Sequence, residues 1–164
     1  MNILKFQFFI ANISLCLFFS TAYATQHESG FVINDLQKIS QQAKTRNTLI
    51  MILFSVEDCE FCEIVREEYL QPMQNNEEDR KRIIIGEISI EDYNTVRDFN
   101  GKPVGADILG MRYSADFSPT VVFVNFKGEE LVKRIVGFKG HDYYGYALEN
   151  AIKKSIVKTS QPSQ

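Results

Sequence analysis

A continuous apolar run that leads directly into a closely spaced pair of cysteines is the feature that most constrains this chain. Residues 48–54 read Thr-Leu-Ile-Met-Ile-Leu-Phe, which is typical of a central strand buried on both faces. The element Cys59-Glu60-Phe61-Cys62 follows and opens an apparent helix. A helix N-terminus can stabilise a thiolate through its dipole and its unpaired N–H groups. The spacing therefore predicts dithiol–disulfide chemistry.

The first 24 residues are interpreted as an export signal. Lys5 provides a positively charged start, residues 6–19 are mostly apolar, and Ala22-Tyr23-Ala24 has the small-x-small pattern of a cleavage site. We expect cleavage between Ala24 and Thr25. The mature chain is then predicted to be periplasmic or secreted.

Two alternatives to cleavage are disfavoured. A retained membrane anchor would need a longer apolar stretch than this one, which contains Asn12, Ser14 and Ser20. A lipoprotein would carry its lipid on Cys16, but the large Leu15 stands where a small residue normally precedes such a cysteine. Cleavage therefore removes Cys16 and leaves only the Cys-x-x-Cys pair.

The mature chain has the size of one ordinary domain. Cleavage leaves 140 of the 164 residues, which is enough for one sizeable core and leaves no room for a separate dimerisation domain, so we expect a monomer. With 17 basic and 21 acidic residues its formal charge is −4, and nothing in this balance favours nucleic-acid binding. We predict a polar lead-in at residues 25–30, a folded domain at residues 31–157 and a loose tail at residues 158–164.

The cysteine pair has interpretations other than redox chemistry. A purely structural disulfide over so short a loop would remove little entropy from the unfolded chain. Covalent haem attachment needs a histidine after the second cysteine, where Glu63 stands. A zinc site is short of ligands, because the mature chain adds only the distant His27 and His141. We therefore expect no metal and no cofactor.

Periodicity along the chain predicts alternating helices and strands. Helices are predicted over residues 31–47, 60–70, 91–100, 104–113 and 141–157. Strands are predicted over residues 48–55, 82–90, 120–126 and 129–136, the last two as a hairpin. Pro72 should end or kink the second helix, and the charged residues 75–82 should be a solvated helix or loop. This order predicts an α/β fold in which helices cover both faces of a mixed central sheet.

The chain resembles the thioredoxin-like superfamily over roughly residues 31–157. The resemblance rests on the Cys-x-x-Cys element, on Ser118-Pro119-Thr120 before a predicted strand, and on Gly128 and Gly137 around the hairpin. It is strongest to exported members with an extended segment before the hairpin, such as those associated with sulfur-oxidation clusters. It implies a thioredoxin-like fold with a central mixed sheet flanked by helices and that extended segment.

The resemblance also implies roles for particular residues. Cys59 would be the exposed nucleophile and Cys62 the buried resolving thiol, and the two would form a reversible disulfide. The Ser118–Pro119 bond would be cis and would lie beside the cysteines, where it and Thr120 border the substrate groove. From the residues alone, Pro119 could equally be an ordinary proline at the start of a strand.

The sequence departs from the family pattern at two positions. Asp58 stands where the family usually has a tryptophan. Leu53 stands where the family usually has a buried acid that assists proton transfer to and from the resolving thiol. A nearby acid such as Glu57, or water, would have to take over that task.

The charge around the cysteines favours a reductant. Four acidic residues surround the pair: Glu57, Asp58, Glu60 and Glu63. They should oppose a thiolate at Cys59, whereas strong oxidants depend on an unusually stabilised thiolate. Glu60 and Phe61, which separate the cysteines, are thus predicted to tune the reduction potential. Carboxylates are also favoured in the first turn of any helix, so the direction of the reaction stays open.

The sequence therefore predicts an exported thiol–disulfide oxidoreductase that reduces disulfides in proteins or small molecules. A reductant in an oxidising compartment needs electrons from outside it, so we expect a membrane dithiol donor as partner. Two alternatives remain. One is a disulfide-forming oxidase of the same fold, and the other is a noncatalytic binding module that uses the groove near Pro119.

Overall fold

The computed structural model describes residues 32–91 and 93–160, so the predicted export signal and polar lead-in lie outside the described residues. The helices are α1 (Leu36–Arg46), α2 (Glu60–Ile64), α3 (Gln71–Asn75), α4 (Glu77–Arg82), α5 (Ala106–Arg112) and α6 (His141–Ser160). The strands are β1 (Leu49–Ser55), β2 (Ile83–Ser89), β3 (Thr95–Arg97), β4 (Pro103–Gly105), β5 (Thr120–Val124) and β6 (Ile135–Val136). A π-helical segment, Val65–Leu70, joins α2 to α3.

Strand β1 lies at the centre of a four-stranded mixed sheet with the order β2-β1-β5-β6. It runs parallel to β2 and antiparallel to β5, and all seven of its residues are buried. One face packs against α6 and the helix after the cysteines: Leu49, Met51 and Leu53. The other face packs against α1 and α5: Ile50, Ile52 and Phe54. The predicted mixed sheet with helices on both faces is confirmed.

The predicted helix over residues 91–100 is wrong. Strand β3 lies in this region and pairs with β4 as a separate two-stranded antiparallel sheet. The connection turns at Gly101, which has a φ of +82° and donates its N–H to the carbonyl of Asp98 at 2.8 Å. A glycine in the left-handed region and Pro103 two residues later both favour a turn over a helix. This small sheet and α5 form the extended segment before β5.

The first helix starts later than its apolar spacing predicts. Asp35 caps α1 by accepting the N–H of Lys38 at 2.8 Å. The residues before it are extended: Val32 bridges to Glu87 of β2, and the N–H of Ile33 donates to the Glu87 carbonyl at 2.8 Å. The chain therefore covers the outer edge of β2 before it becomes helical.

The helix after the cysteines continues past Pro72, where we predicted an end or a kink. The N–H of Gln71 donates to the carbonyl of Arg66, five residues earlier, and α3 then runs to Asn75. Pro72 lies in the first turn of α3, a position that tolerates the missing N–H of proline. The charged residues after it form α4, in agreement with a solvated helix.

The C-terminal elements differ from prediction in their lengths. Of the predicted strand at residues 129–136, only β6 pairs with β5, and Glu130 adds an isolated bridge to Val124. Helix α6 continues to Ser160, so residues 158–160 are helical, where we predicted a loose tail. No helix in residues 32–91 or 93–160 combines the length and the apolar character needed to cross a membrane.

Truncation of a β1 side chain should destabilise the whole domain. Ile52 is fully buried in the core on the α1 and α5 side, so Ile52→Ala should lower the free energy of unfolding by about 2–5 kcal/mol, through lost burial and a residual cavity. Val157→Ala is the control, because Val157 is 59 % exposed and its loss should cost less than about 0.5 kcal/mol. Urea unfolding of the oxidised protein measures both. Equal losses would contradict the central position of β1.

Candidate active site

The two cysteines lie at the start of α2, just beyond the carboxyl end of β1. Cys59 is the N-cap residue, with extended backbone, and is half-buried. Cys62 lies in the first turn and is fully buried. Their sulfur atoms are 2.00 Å apart, so the structure holds the pair as a disulfide. The two sulfurs therefore occupy different environments, one facing the surface and one facing the core.

The start of α2 directs backbone N–H groups towards Cys59. The N–H of Cys62 points at Cys59 Sγ at 3.2 Å, and the N–H groups of Cys62 and Glu63 also reach the Cys59 carbonyl at 3.0 and 3.1 Å. Unpaired N–H groups and the helix dipole favour negative charge at this point. A thiolate at Cys59 would be stabilised here, against the opposing charges of Glu60 and Glu63.

Sheet pairing brings the predicted proline element to the same end of the sheet. Phe54, at the end of β1, is paired with Thr120, at the start of β5, so Pro119 directly precedes this pairing. The Ser118–Pro119 peptide bond is cis. The carbonyl of Pro119 accepts the N–H of Gly137 at 2.8 Å, and the Thr120 hydroxyl donates to the carbonyl of Phe117 at 2.6 Å. Both predicted motifs thus lie where β1 ends and β5 begins.

An aromatic cluster connects the cysteine element to the start of α6. Phe61 is 51 % exposed, and its ring stacks on Phe138 with centroids 5.8 Å apart. The ring of Phe138 also contacts Tyr69, Tyr144 and His141 at centroid distances of 6.4, 5.3 and 5.1 Å. Phe61 therefore presents one face to solvent beside Cys59 while Phe138 supports the other. This contact could not be inferred from sequence spacing.

Glu57, the nearby acid that we considered for proton transfer to and from the resolving thiol, lies on the surface. It is exposed, and its carboxylate accepts the hydroxyl of Tyr93. Its backbone N–H donates to the Glu91 carboxylate at 2.9 Å. The hydrogen bond to Glu57, with smaller effects of desolvation and nearby charge, raises the pKa of Tyr93 to about 12. Glu57 thus belongs to a surface contact between the loops that follow β1 and β2.

The buried acid of this site is Glu87, which we did not predict. It lies on β2 directly beside Leu53, in the register that pairs the two strands, and is 7 % exposed. Arg66 forms two hydrogen bonds to its carboxylate, at 2.6 and 2.7 Å, and Ser55 donates a third at 2.5 Å. The sequence did carry a signal: Glu87 occupies a core-facing position in an apolar strand, where a charge must be paired.

The ion pair also affects Arg66. The hydrogen bonds to Glu87 raise the pKa of the guanidinium above its ordinary value, although burial alone would lower it. Arg66 therefore carries its positive charge throughout the neutral pH range. Among the described residues, no group of three or more His, Cys, Asp or Glu side chains is placed to hold a metal ion.

The central strand of the mixed sheet leads into a helix that Cys59 caps and whose first turn contains Cys62. This arrangement is suited to thiol–disulfide redox chemistry. Residues 36–152 match the family model described as the thioredoxin-like domain. The chain belongs to this family, and the predicted superfamily and fold are confirmed. A comparison with curated protein sequences gave no match.

Two solved thioredoxins share the fold of this chain at low sequence identity. Thioredoxin of Malassezia sympodialis is 14 % identical, with a TM-score of 0.51 over 76 % of this chain and 91 % of its own. Mitochondrial thioredoxin 3 of Saccharomyces cerevisiae is 15 % identical, with a TM-score of 0.50 over 76 % and 95 %. The periplasmic thioredoxin SoxS of Paracoccus pantotrophus is 19 % identical, with a TM-score of 0.45 over 65 % and 98 %.

The contact between Glu57 and Tyr93 gives a prediction about titration. Glu57→Ala removes the acceptor, so the pKa of Tyr93 should fall from about 12 towards the ordinary tyrosine value of about 10. Ultraviolet absorbance of tyrosinate measures this, with Tyr93→Phe identifying which transition belongs to Tyr93. A Tyr93 transition that Glu57→Ala leaves in place would contradict the hydrogen bond.

Proposed function

We propose that this protein is an exported thiol–disulfide oxidoreductase that reduces disulfides in protein or small-molecule substrates. The observation that carries the proposal is the pairing of a half-exposed Cys59 at a helix N-terminus with a fully buried Cys62 at disulfide distance. Such a pair can open and close without a change of fold. The surface position of Cys59 makes it the sulfur that a substrate reaches.

The reduction proceeds in two exchanges. The Cys59 thiolate attacks one sulfur of the substrate disulfide, which releases the other sulfur as a thiolate and leaves a mixed disulfide on Cys59. The Cys62 thiolate then attacks Cys59 Sγ and displaces the second substrate sulfur. Two electrons pass to the substrate, its two thiolates take up protons, and the Cys59–Cys62 disulfide remains.

The substrate would approach over the surface formed by the two motifs. The exposed face of Phe61 gives apolar contact beside Cys59, and the backbone around Pro119 can pair with an extended chain. We therefore place Ser118, which is partly exposed, along the substrate groove, with the buried Pro119 and Thr120 supporting it from behind. A membrane dithiol donor would return the pair to the reduced state, since an oxidising compartment does not supply electrons.

Export rests on the N-terminal sequence pattern. Cleavage between Ala24 and Thr25 would deliver a chain in which Cys59 and Cys62 are the only cysteines, so no other thiol competes with the pair. The N-terminal residue of the protein recovered from a periplasmic extract tests this. Thr25 as the first residue supports export and cleavage. Protein that keeps Met1 and is found only in the cytoplasmic fraction speaks against both.

Single cysteine variants test the reaction and the order of the two thiols. Cys59→Ser should abolish disulfide reduction, because the sulfur that substrate reaches is gone. Cys62→Ser should also lose turnover but should accumulate a mixed disulfide on Cys59, which mass spectrometry detects. Turnover is measured as insulin reduction with dithiothreitol as electron source. Activity retained in Cys59→Ser would refute Cys59 as the nucleophile. Wild-type protein that never exchanges would leave only the binding-module alternative.

The acidic surroundings should hold the pair at a reducing potential. A value near that of thioredoxin, about −270 mV, supports a reductant, and one near −120 mV supports an oxidase. Glu60→His removes a negative charge beside Cys59 and should shift the equilibrium constant with glutathione roughly tenfold, which raises the potential by about 30 mV. Redox titration in glutathione buffers measures both.

Glu77→His is the control for that titration, because α4 precedes β2 and therefore lies at the opposite end of the sheet from the cysteines. It makes the same change in charge and should leave the potential in place. An unchanged potential in Glu60→His, or an equal shift in both variants, would show that the acids near the cysteines serve the helix and solubility alone.

A further inference from the structure

A largely buried ion pair lies on the face of the sheet against which the helix after the cysteines packs. Leu53 and Glu87 are neighbours across β1 and β2. Leu53 packs in the same core cluster as Val65, which lies in the helix that begins at the cysteines. The next residue of that helix, Arg66, forms an ion pair with Glu87. Arg66 follows Cys62 by four residues, about one helical turn, so both side chains lie on the same side of that helix.

The geometry of the pair fixes where its two charges lie. Nε and Nη2 of Arg66 donate to separate oxygens of Glu87, and the Ser55 hydroxyl donates to one of them. The carboxylate oxygens of Glu87 thus already accept three hydrogen bonds, two of them from a guanidinium, so they offer little free hydrogen-bonding capacity to another group. Glu87 is therefore unsuited to act as the free buried acid whose place Leu53 occupies.

In the resolving step the thiol of Cys62 must become a negatively charged thiolate, although it lies in an apolar environment. Cys62 is fully buried, and burial disfavours a thiolate. A nearby positive charge favours it, and a nearby negative charge opposes it. Ser89 is paired with Ser55 in the register of β1 and β2, and its buried hydroxyl has no hydrogen bond among the described residues. Ser55, Glu87 and Ser89 thus form a polar patch on a face of the sheet that is otherwise aliphatic and aromatic.

We propose that Arg66 and Glu87 are positioning residues that set the ionisation of Cys62 in the resolving step, through their opposed charges and not by accepting its proton. This inference rests on the proposed function. In the step, the Cys62 proton leaves to water, the Cys62 sulfur forms a bond to Cys59 Sγ, and the bond from Cys59 to the substrate sulfur breaks. The substrate sulfur leaves as a thiolate that water protonates, so atoms and electrons balance.

Reaction of the reduced protein with Ellman's reagent isolates this step. Attack by Cys59 releases one coloured thiolate and leaves the second on Cys59, and attack by Cys62 then releases the second. Stopped-flow absorbance separates the two phases, and the second phase, followed across the neutral pH range, gives a midpoint that reports the ionisation of Cys62. The probe is small, so the measurement does not depend on the identity of the natural substrate.

Substitutions of Glu87 and of Arg66 should move the pH midpoint of the second phase in opposite directions. Glu87→Gln leaves the positive charge of Arg66 uncompensated, so the midpoint should move to lower pH. Below the midpoint the second phase should be roughly threefold faster for each pH unit moved, because the tenfold larger thiolate fraction is partly offset by the weaker nucleophilicity of a less basic thiolate. Arg66→Met leaves the negative charge of Glu87 and should move the midpoint to higher pH. The double variant should return towards wild type. Arg66→Lys keeps the charge and should stay near wild type.

Another ion pair with a buried carboxylate supplies the controls. Arg112, which is about half exposed, donates to Asp98 at 2.9 Å, and its neighbour Tyr113 belongs to the core on the opposite face of the sheet. Arg112→Met and Asp98→Asn should lower stability but leave the midpoint at its wild-type pH.

Each outcome has a definite meaning. A midpoint that moves in the same direction in Glu87→Gln and Arg66→Met, or in neither, overturns the proposal and makes the pair purely structural. If Glu87→Gln does not fold, the comparison of Arg66→Met with Arg66→Lys decides: equal midpoints overturn the proposal, and a higher one in Arg66→Met supports it. A wild-type protein that releases no second thiolate refutes the proposed function itself, whatever the variants do.

Discussion

The complete burial of β1 is the constraint on which the rest of the structure depends. The strand pairs on both edges and packs on both faces, so its position admits little adjustment. After the strand ends at Ser55 the chain reaches solvent, and the cysteine element begins four residues later. Because β5 runs back along the same strand, its first residue meets that same end. One buried strand thus places both motifs of the site together without any direct bond between them.

The two cysteines differ through what lies behind each of them. Cys59 has helix N–H groups beneath it and an aromatic neighbour whose ring is held by Phe138. Cys62 has the core of the sheet and, one turn along its helix, a fixed pair of opposite charges. The accessible Cys59 sulfur, close to helix N–H groups, suits the attack on the substrate disulfide. The buried Cys62 sulfur, held against the sheet, suits the second step, which resolves the mixed disulfide.

The architecture and the cysteine element could be predicted from sequence because they depend on local patterns. The apolar run before Cys59 is compatible only with burial on both faces, and it forms the buried strand β1. The predicted helix over residues 91–100 was wrong because weak apolar spacing competed with a glycine turn and a proline that the spacing ignores. Glu87 and Arg66 could not be paired in advance, since their contact depends on how a π-helical segment aligns with β2. A buried charge signals that a partner exists, but not which residue it is.

The edges of the sheet have a consequence for the behaviour of the protein in concentrated solution. An open edge of a sheet offers unpaired N–H and carbonyl groups to a second molecule, and long flat edges lead to intermolecular strand pairing. Here the backbone of Val32 and Ile33 covers the outer edge of β2. At the other side, β6 contributes only two residues, preceded by Lys133 and Arg134. Among the described residues, the two edges of this sheet therefore leave only short stretches of unpaired backbone for strand pairing with a second molecule.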